Sequence, residues 1–565
     1  MRISINLLRA LEESTDKGWF KYSELKDVLG EEAFDTLLEG YAVGLYRIKG
    51  EDQFEIRMEG LRILDIWRTA GKPEIDPWID TRILTMLEAS WMTGRIPGEW
   101  EKLLEERGLA SEGKLKPHAE ELLTLSKRLD RGLVITKSMA RELAKAPEGP
   151  AEKELYGRFL GIFESMTLVV GTVHLNQYYS LTRAGRLLRA AFKRVNLDVP
   201  WPSLLNPRIL KILEKVERGL EPTPEEKTYA GTIGYLKATG ELDYTGRLVL
   251  EAYRSLRADR YVPPMSLSSH EERLLKTIAD LWREKEGGKP NILVNRERIA
   301  KKYMEEWGSG PGPELGLDLL HLESLGLVEE TVENGKQVYK LTSRGRELAG
   351  LPGIGRGSPI QAVKSITEPL NNRSPSMDWI SKGLEHGVVS TGGPTRRGRL
   401  LARASSSGRK LLVTRPEAIA LQAIPEEKSI SRSILVDKIK DAGGDPERAL
   451  NRLEARGLIR TLVDDTVVLT RPGKIIKTVL IAVPSSIAVP INPVMVRILQ
   501  ILEKTRREDL AEIANKAKLS LETVREALIL ARAAKLLGKG GGLTTPGKAL
   551  LEALELLTEE EYMGE

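Results

Sequence analysis

At 565 residues the chain is too long for one hydrophobic core, and at about 100 to 150 residues per domain it implies several. Apolar residues at 41% and charged residues at 30% describe a folded, water-compatible composition and exclude a disordered one. The 86 Lys and Arg against 81 Asp and Glu leave +5, which neither demands nor excludes a polyanionic partner, and the absence of cysteine removes disulfides, thiolate catalysis and cysteine metal sites.

The five histidines, His118, His174, His270, His321 and His386, are scattered, so no zinc cluster of the usual spacing and no cofactor is expected. Arg9, Glu12 and Glu13 interrupt any signal-peptide core at the start. The longest apolar run, 478–496, contains Pro484, Pro490 and Pro493, which predicts a buried or extended linker and no membrane helix. A cytoplasmic protein is expected, and six glutamines beside abundant Arg, Glu and Lys suit a thermophile.

Taken in order, the first stretch predicts a helix over residues 3–11 and a second over 22–29 closed by Gly30. A third helix over 31–39 and two strands, 43–48 and 53–57, around a turn at 49–52 complete it. A recurring signature comes next, clearest at 179–188 as Tyr-Ser-Leu-Thr-Arg-Ala-Gly-Arg-Leu-Leu. Near copies stand at 340–348, 468–476 and 543–551, looser ones at 57–64, 243–248 and 394–401, and a worn one at 116–123. Its Thr reads as a helix N-cap closing a short strand, and its Gly as a residue accepted early in the helix because a neighbouring backbone lies close.

An internal repeat has to be read one copy at a time. The copies predict units over 1–72, 73–131, 132–200, 201–264, 265–352, 353–414, 415–484 and 485–565, the last with an acidic tail. In the fifth, a hairpin is expected with its turn at Glu333-Asn334-Gly335-Lys336. In the seventh, Asp445 and Pro446 read as N-cap and first helical residue. In the eighth, helices at 508–517 and 521–528 are joined at Lys518-Leu519-Ser520, and the tip Gly538-Lys539-Gly540-Gly541-Gly542 lies beyond them.

These last residues resemble the helix-turn-helix and wing of winged-helix transcription regulators, and the chain as a whole resembles an archaeal family of multi-winged-helix proteins. The resemblance implies a mainly α fold with small β-hairpin wings, arrayed as about seven or eight tandem winged helix-turn-helix units. It also implies nucleic-acid binding, with duplex DNA favoured over RNA and transcription regulation or chromatin organisation as the role. Ser520 would cap the recognition helix, Thr523 and Arg525 would lie on it, and Lys539 would sit on the wing.

Charge distributes this expectation unevenly. The third helices of the first, second and fifth units carry Glu31, Glu32, Asp35 and Glu39; Glu99, Glu101, Glu105 and Glu106; and Glu314, Asp318 and Glu323, which would repel phosphate. The acidic N-terminal units are therefore expected to pack or to engage a protein partner. The stretch 386–416 is the opposite: Arg396, Arg397, Arg399, Arg403, Arg409, Lys410 and Arg415 meet no acidic residue there. The first six of these form the predicted phosphate-binding set. A second basic face carries Arg183, Arg186, Arg189, Lys193 and Arg194.

The glycines of 353–357 lack the strand and Lys-Ser/Thr of a nucleotide loop and read as a linker. The nine tryptophans are dispersed and are expected in cores. No catalytic constellation stands out, so the protein is not expected to be an enzyme. The alternative reading is a protein-interaction scaffold or an RNA- or ribosome-associated factor.

Overall fold

The copies that carry Thr three residues before Gly fold alike. Thr182 caps the Arg183–Phe192 helix: its Oγ1 accepts from the Gly185 N–H at 3.2 Å and donates to the Thr167 carbonyl at 2.7 Å, while its N–H reaches the Leu168 carbonyl at 3.0 Å. The same three bonds recur at Thr342, Thr395, Thr470 and Thr544. A Cβ on Gly185, Gly345, Gly398, Gly473 or Gly547 would overlap the carbonyl of Leu168, Leu327, Val388, Leu458 or Leu536. Only glycine lets the helix start rest on the preceding chain that closely. The two looser copies at Gly60 and Gly246 make the same approach to Leu45 and Tyr235. Cap and close-approach residue are thus what the signature supplies.

The computed structural model describes residues 1–49, 53–129, 131–173, 178–256, 261–287, 292–312, 314–406, 408–505, 509–538 and 540–558. The fold is mainly helical, with small antiparallel sheets. In three of these sheets a strand from ahead of the second helix joins the later hairpin: Trp19–Lys21 beside Gln53–Ile56 and Tyr46–Ile48, Ala151–Glu152 beside Tyr178–Leu181 and Val169–Gly171, and Ile430–Ser431 beside Thr466–Leu469 and Ile459–Thr461. The predicted hairpin of Val328–Glu333 and Lys336–Leu341 turns at Asn334 and Gly335, both with positive φ.

Several local expectations need correction. The first unit's third helix is a 3-10 turn at Gly30–Glu32 followed by Ala33–Val43, longer than predicted because Ala42 and Val43 are buried before the left-handed Gly44. The apolar run at 478–496 is helical only at its two ends, and the expected linker shortens to 483–492: Arg471–Ala482 stops before Pro484, and Pro493 begins Pro493–Thr505. Proline ends one helix and opens the next, both places it tolerates. Where the last wing is expected, the strand pairing reduces to a bridge between Leu537 and Leu543. Lys539, the turn residues 50–52 and the acidic tail from 559 lie outside the described residues.

Buried apolar side chains gather into four clusters, each taking in two successive signature copies. One spans residues 1–129 with Val173, Leu462 and Val468 attached; the next joins Leu38 and Ala42 to 133–256. A third covers 262–404 with Ala455, and the fourth 411–557. Units of about 60 residues bury too little surface to be robust alone, so pairing them enlarges each core. Trp67, Trp78 and Trp100 are fully buried, as expected of core tryptophans, whereas Trp91 is exposed against that expectation. Among the described residues no helix is long and apolar enough to cross a membrane.

Two inter-unit contacts set the basic helices in place. Val173 forms a parallel bridge with Ser376, its N–H reaching the Pro375 carbonyl at 2.9 Å, and the backbones of Gly149 and Gly393 nearly touch. Separately, the Pro446–Ala455 helix and the residue after it project Arg448, Arg452 and Arg456 toward the Ser269–Glu286 and Leu315–Ser324 helices.

Candidate functional site

The six predicted cations divide sharply by burial. Arg397 is 3% exposed: its guanidinium pairs with Glu272 and donates to the Gly357 carbonyl at 2.8 Å, to Ser358 Oγ at 2.8 Å and to the Pro352 carbonyl at 2.9 Å. Arg409 is 1% exposed and donates to the carbonyls of Ala404, Ser405 and Ala455. These close the Arg396–Ser405 and Pro446–Ala455 helices, whose C-terminal ends favour a cation. Burial, with Arg344 nearby, lowers the Arg409 pKa to about 9. Neither side chain can reach a phosphate, which corrects the expectation for both. Lys410 is half-buried and 3.4 Å from Glu323.

Arg396, Arg399 and Arg403 remain exposed on the Arg396–Ser405 helix. Arg399 donates to the Pro394 carbonyl at 2.8 Å, and Arg403 lies 3.6 Å from Glu347. Arg399 and Arg403 line one wall of a cleft of about 390 Å³ whose other wall is the Arg183–Phe192 helix and its continuation, with Arg186, Arg189, Lys193 and Arg194; Leu370 floors it. The two basic faces that the sequence placed more than 200 residues apart therefore meet.

Electrostatically the cleft is lopsided. Among the described residues Glu148 is the one carboxylate lining it, and it accepts from Arg189 at 3.0 Å. Burial lowers the pKa of Arg186. Burial, and Arg189 beside it, lower that of Lys193. Arg194 stacks its guanidinium 4.5 Å from the Tyr244 ring centroid. Arg183, deeper in the wall, is held by Glu251 at 2.8 Å. Cations crowded with so little counter-charge repel one another, and an anion entering the cleft would relieve that repulsion.

The C-terminal set lies elsewhere. Ser520 caps Leu521–Ala533, accepting from the Thr523 N–H at 3.1 Å and sharing a hydroxyl bond with Thr523 at 2.8 Å. Arg525 is exposed on that helix, between Leu521 and Ile529, which are 55% and 57% exposed. None of these residues lines the cleft.

The acidic third helices have different fates. Glu99, Glu105 and Glu106 stay at the surface, whereas Asp318 is buried and accepts from Arg452 at 2.6 Å and from Arg448. Glu323 pairs with Arg497 and Lys410. Around them, Glu271 meets Arg452 at 2.8 Å, and Arg456 meets Glu417 at 2.8 Å and His321 Nδ1 at 3.1 Å. In the fifth unit the basic partners of the acidic helix thus belong to the same chain. The glycine-rich 353–357 loop also holds an oxyanion, but an internal one: the N–H groups of Gly355 and Gly357 donate to Glu272 at 2.9 and 3.0 Å.

Sequence reasoning missed the pairing of the two basic faces, since nothing in either marks its neighbour. It also missed the clustered charges around Arg452, although Arg448, Arg452 and Arg456 at steps of four mark one helix face.

A family model described as a protein of unknown function, DUF505, matches residues 2–309 and 312–554. An uncharacterized protein of the archaeon Methanocaldococcus jannaschii is 25% identical over 571 aligned residues, covering 94% of this chain and 95% of the relative. No solved structure matches significantly.

Proposed function

The chain belongs to the DUF505 family, and from the geometry of this member we propose a non-catalytic nucleic-acid-binding protein built of tandem winged helix-turn-helix units. It binds the phosphate backbone of duplex DNA at the cleft between the Arg183–Phe192 and Arg396–Ser405 helices. The observation that carries this reading is the convergence of Arg186, Arg189, Lys193, Arg194, Arg399 and Arg403 on one cleft with Glu148 as its carboxylate. Guanidinium groups suit phosphate because their fork of N–H donors matches its oxygens. The joined strand-and-hairpin sheets and the capped Leu521–Ala533 helix support the winged-helix reading. A role in transcription regulation or chromatin organisation accords with that architecture.

A scaffold reading is less favoured, because the acidic helix most suited to dock a basic protein, Leu315–Ser324, already docks Arg448, Arg452 and Arg497. The deciding measurement is a salt titration of binding to duplex DNA, single-stranded DNA and structured RNA. Each duplex phosphate neutralised contributes a slope of about −0.9 in log affinity against log salt. An Arg399→Ala/Arg403→Ala variant should therefore reduce the slope by about 2. No binding to any of the three polymers at low salt would overturn the reading; tighter binding to RNA would move its target.

A further inference from the structure

A second cavity, of about 700 Å³, opens where the fifth, sixth and seventh signature-bearing stretches meet. Its volume is that of a small-molecule site. Three of the five histidines, dispersed in sequence, line it: His270, His321 and His386. We propose that it binds a small organic anion, phosphate or carboxylate, that also carries a hydroxyl or amino donor.

The inner wall is fixed. His270 Nδ1 lies 2.8 Å from the Tyr303 hydroxyl and Nε2 3.0 Å from Asp318 Oδ2. Asp318 accepts from Arg452, and its other carboxylate oxygen accepts the Nε2–H of His270. Burial drives the His321 pKa well below its ordinary value, leaving a neutral ring that accepts from Arg456. Glu271 and Asp318 are answered by Arg452. These contacts hold one another in place and shape a binding wall.

What the wall does not satisfy defines the ligand. Asn451 Oδ1 and Arg452 Nε are buried and have no hydrogen-bond partner among the described residues, and Arg452 is 8% exposed as a side chain. Such atoms are destabilising unless something outside the chain supplies the bond. Asn451 Oδ1 requires a donor; Arg452 Nε requires an acceptor. At the rim, Arg356 is exposed and makes no ion pair among the described residues, and the Ser269–Glu286 helix begins at the same wall with its positive end. An anionic group near Arg356 and Arg452 with a donor toward Asn451 satisfies all three. The site is independent of the basic cleft, with which it shares no residue.

Calorimetry on the full chain carrying Arg399→Ala/Arg403→Ala, which weakens the competing cleft, tests this. The probes are glycerol 3-phosphate, glycerate and glycerol. The two anions should bind and glycerol should not; the tighter of the two anions identifies the class. Arg356→Gln and Asn451→Ala should each weaken binding about tenfold, the loss of one charged or buried hydrogen bond. Both substitutions sit at the cavity surface, and an unchanged circular dichroism melt checks that the fold persists. No heat with either anion at millimolar concentration, or affinity unaltered by both substitutions, would overturn the proposal.

Discussion

The Arg396–Ser405 and Pro446–Ala455 helices both present arginine in steps of three or four, yet they do opposite things. Along the second, Arg452 and Arg456 are buried among Glu271, Asp318, Glu417 and His321 and bolt three stretches of chain together. On the first, Arg399 and Arg403 look across open space at more cations. The same residue type becomes a structural bolt or a cation facing an open cleft according to where the carboxylates are. An Arg at helical spacing therefore carries no functional meaning until the facing surface is known.

The contrast breaks most visibly in stability. Removing Arg452 leaves Glu271 and Asp318 buried without their main cation, so Arg452→Ala should cost about 3–5 kcal/mol in the first denaturant transition. Arg403→Ala, at an exposed position, should stay within about 0.5 kcal/mol. Comparable losses in both would erase the distinction.

Acidity reports on the bolt alone. Burial opposes ionisation of Glu271, but the charge of Arg452, which donates to it at 2.8 Å, and the Ser268 N–H override it and hold the pKa at about 2, below the ordinary 4.5. Between those values the native state binds fewer protons than the unfolded one. The stabilisation is therefore complete above pH 4.5 and is lost as pH falls toward 2, on the order of 3 kcal/mol in total. In Glu271→Gln the part of the pH slope due to this group should vanish from urea midpoints measured across that range.

A smaller change bears on the cleft without touching a cation. A Cβ at Gly398 meets the Val388 carbonyl, so Gly398→Ala must push the Arg396–Ser405 helix away from its strand, costing about 1–3 kcal/mol. Arg399 and Arg403 move with the helix, and affinity for duplex DNA should fall although every charge remains. Unchanged affinity would show that the spacing between the two basic walls is unimportant.

The repeat carried the legible part of the fold. Thr and Gly at fixed offsets encode a local cap and a local backbone approach, both of which depend on a few neighbouring residues, and the structure realises the approach from Gly60 to Gly547 and the cap from Thr182 to Thr544. What faces what across units is a different matter. Arg397 and Arg399 are two residues apart and equally basic in sequence, but the first turns inward to Glu272, 125 positions away. The cavity around His270 and Arg452 was illegible for the same reason: its parts come from 266 to 452, and their chemistry exists only after the helices dock.

The finest division of the basic region concerns Arg396, which is exposed on the Arg396–Ser405 helix but does not line the cleft. If phosphates are gripped only between the two walls, Arg396→Ala should leave both stability and the salt slope of duplex binding unchanged, while Arg399→Ala lowers the slope by about 0.9. If the duplex instead rests on the whole outer face of the helix, the two substitutions should lower it equally. We expect the first outcome, because an isolated exposed arginine keeps its hydration, whereas Arg399 shares a partly enclosed space with Lys193 and Arg189, where lower dielectric strengthens attraction for an anion. Equal slopes would make the helix face, and not the cleft, the interface.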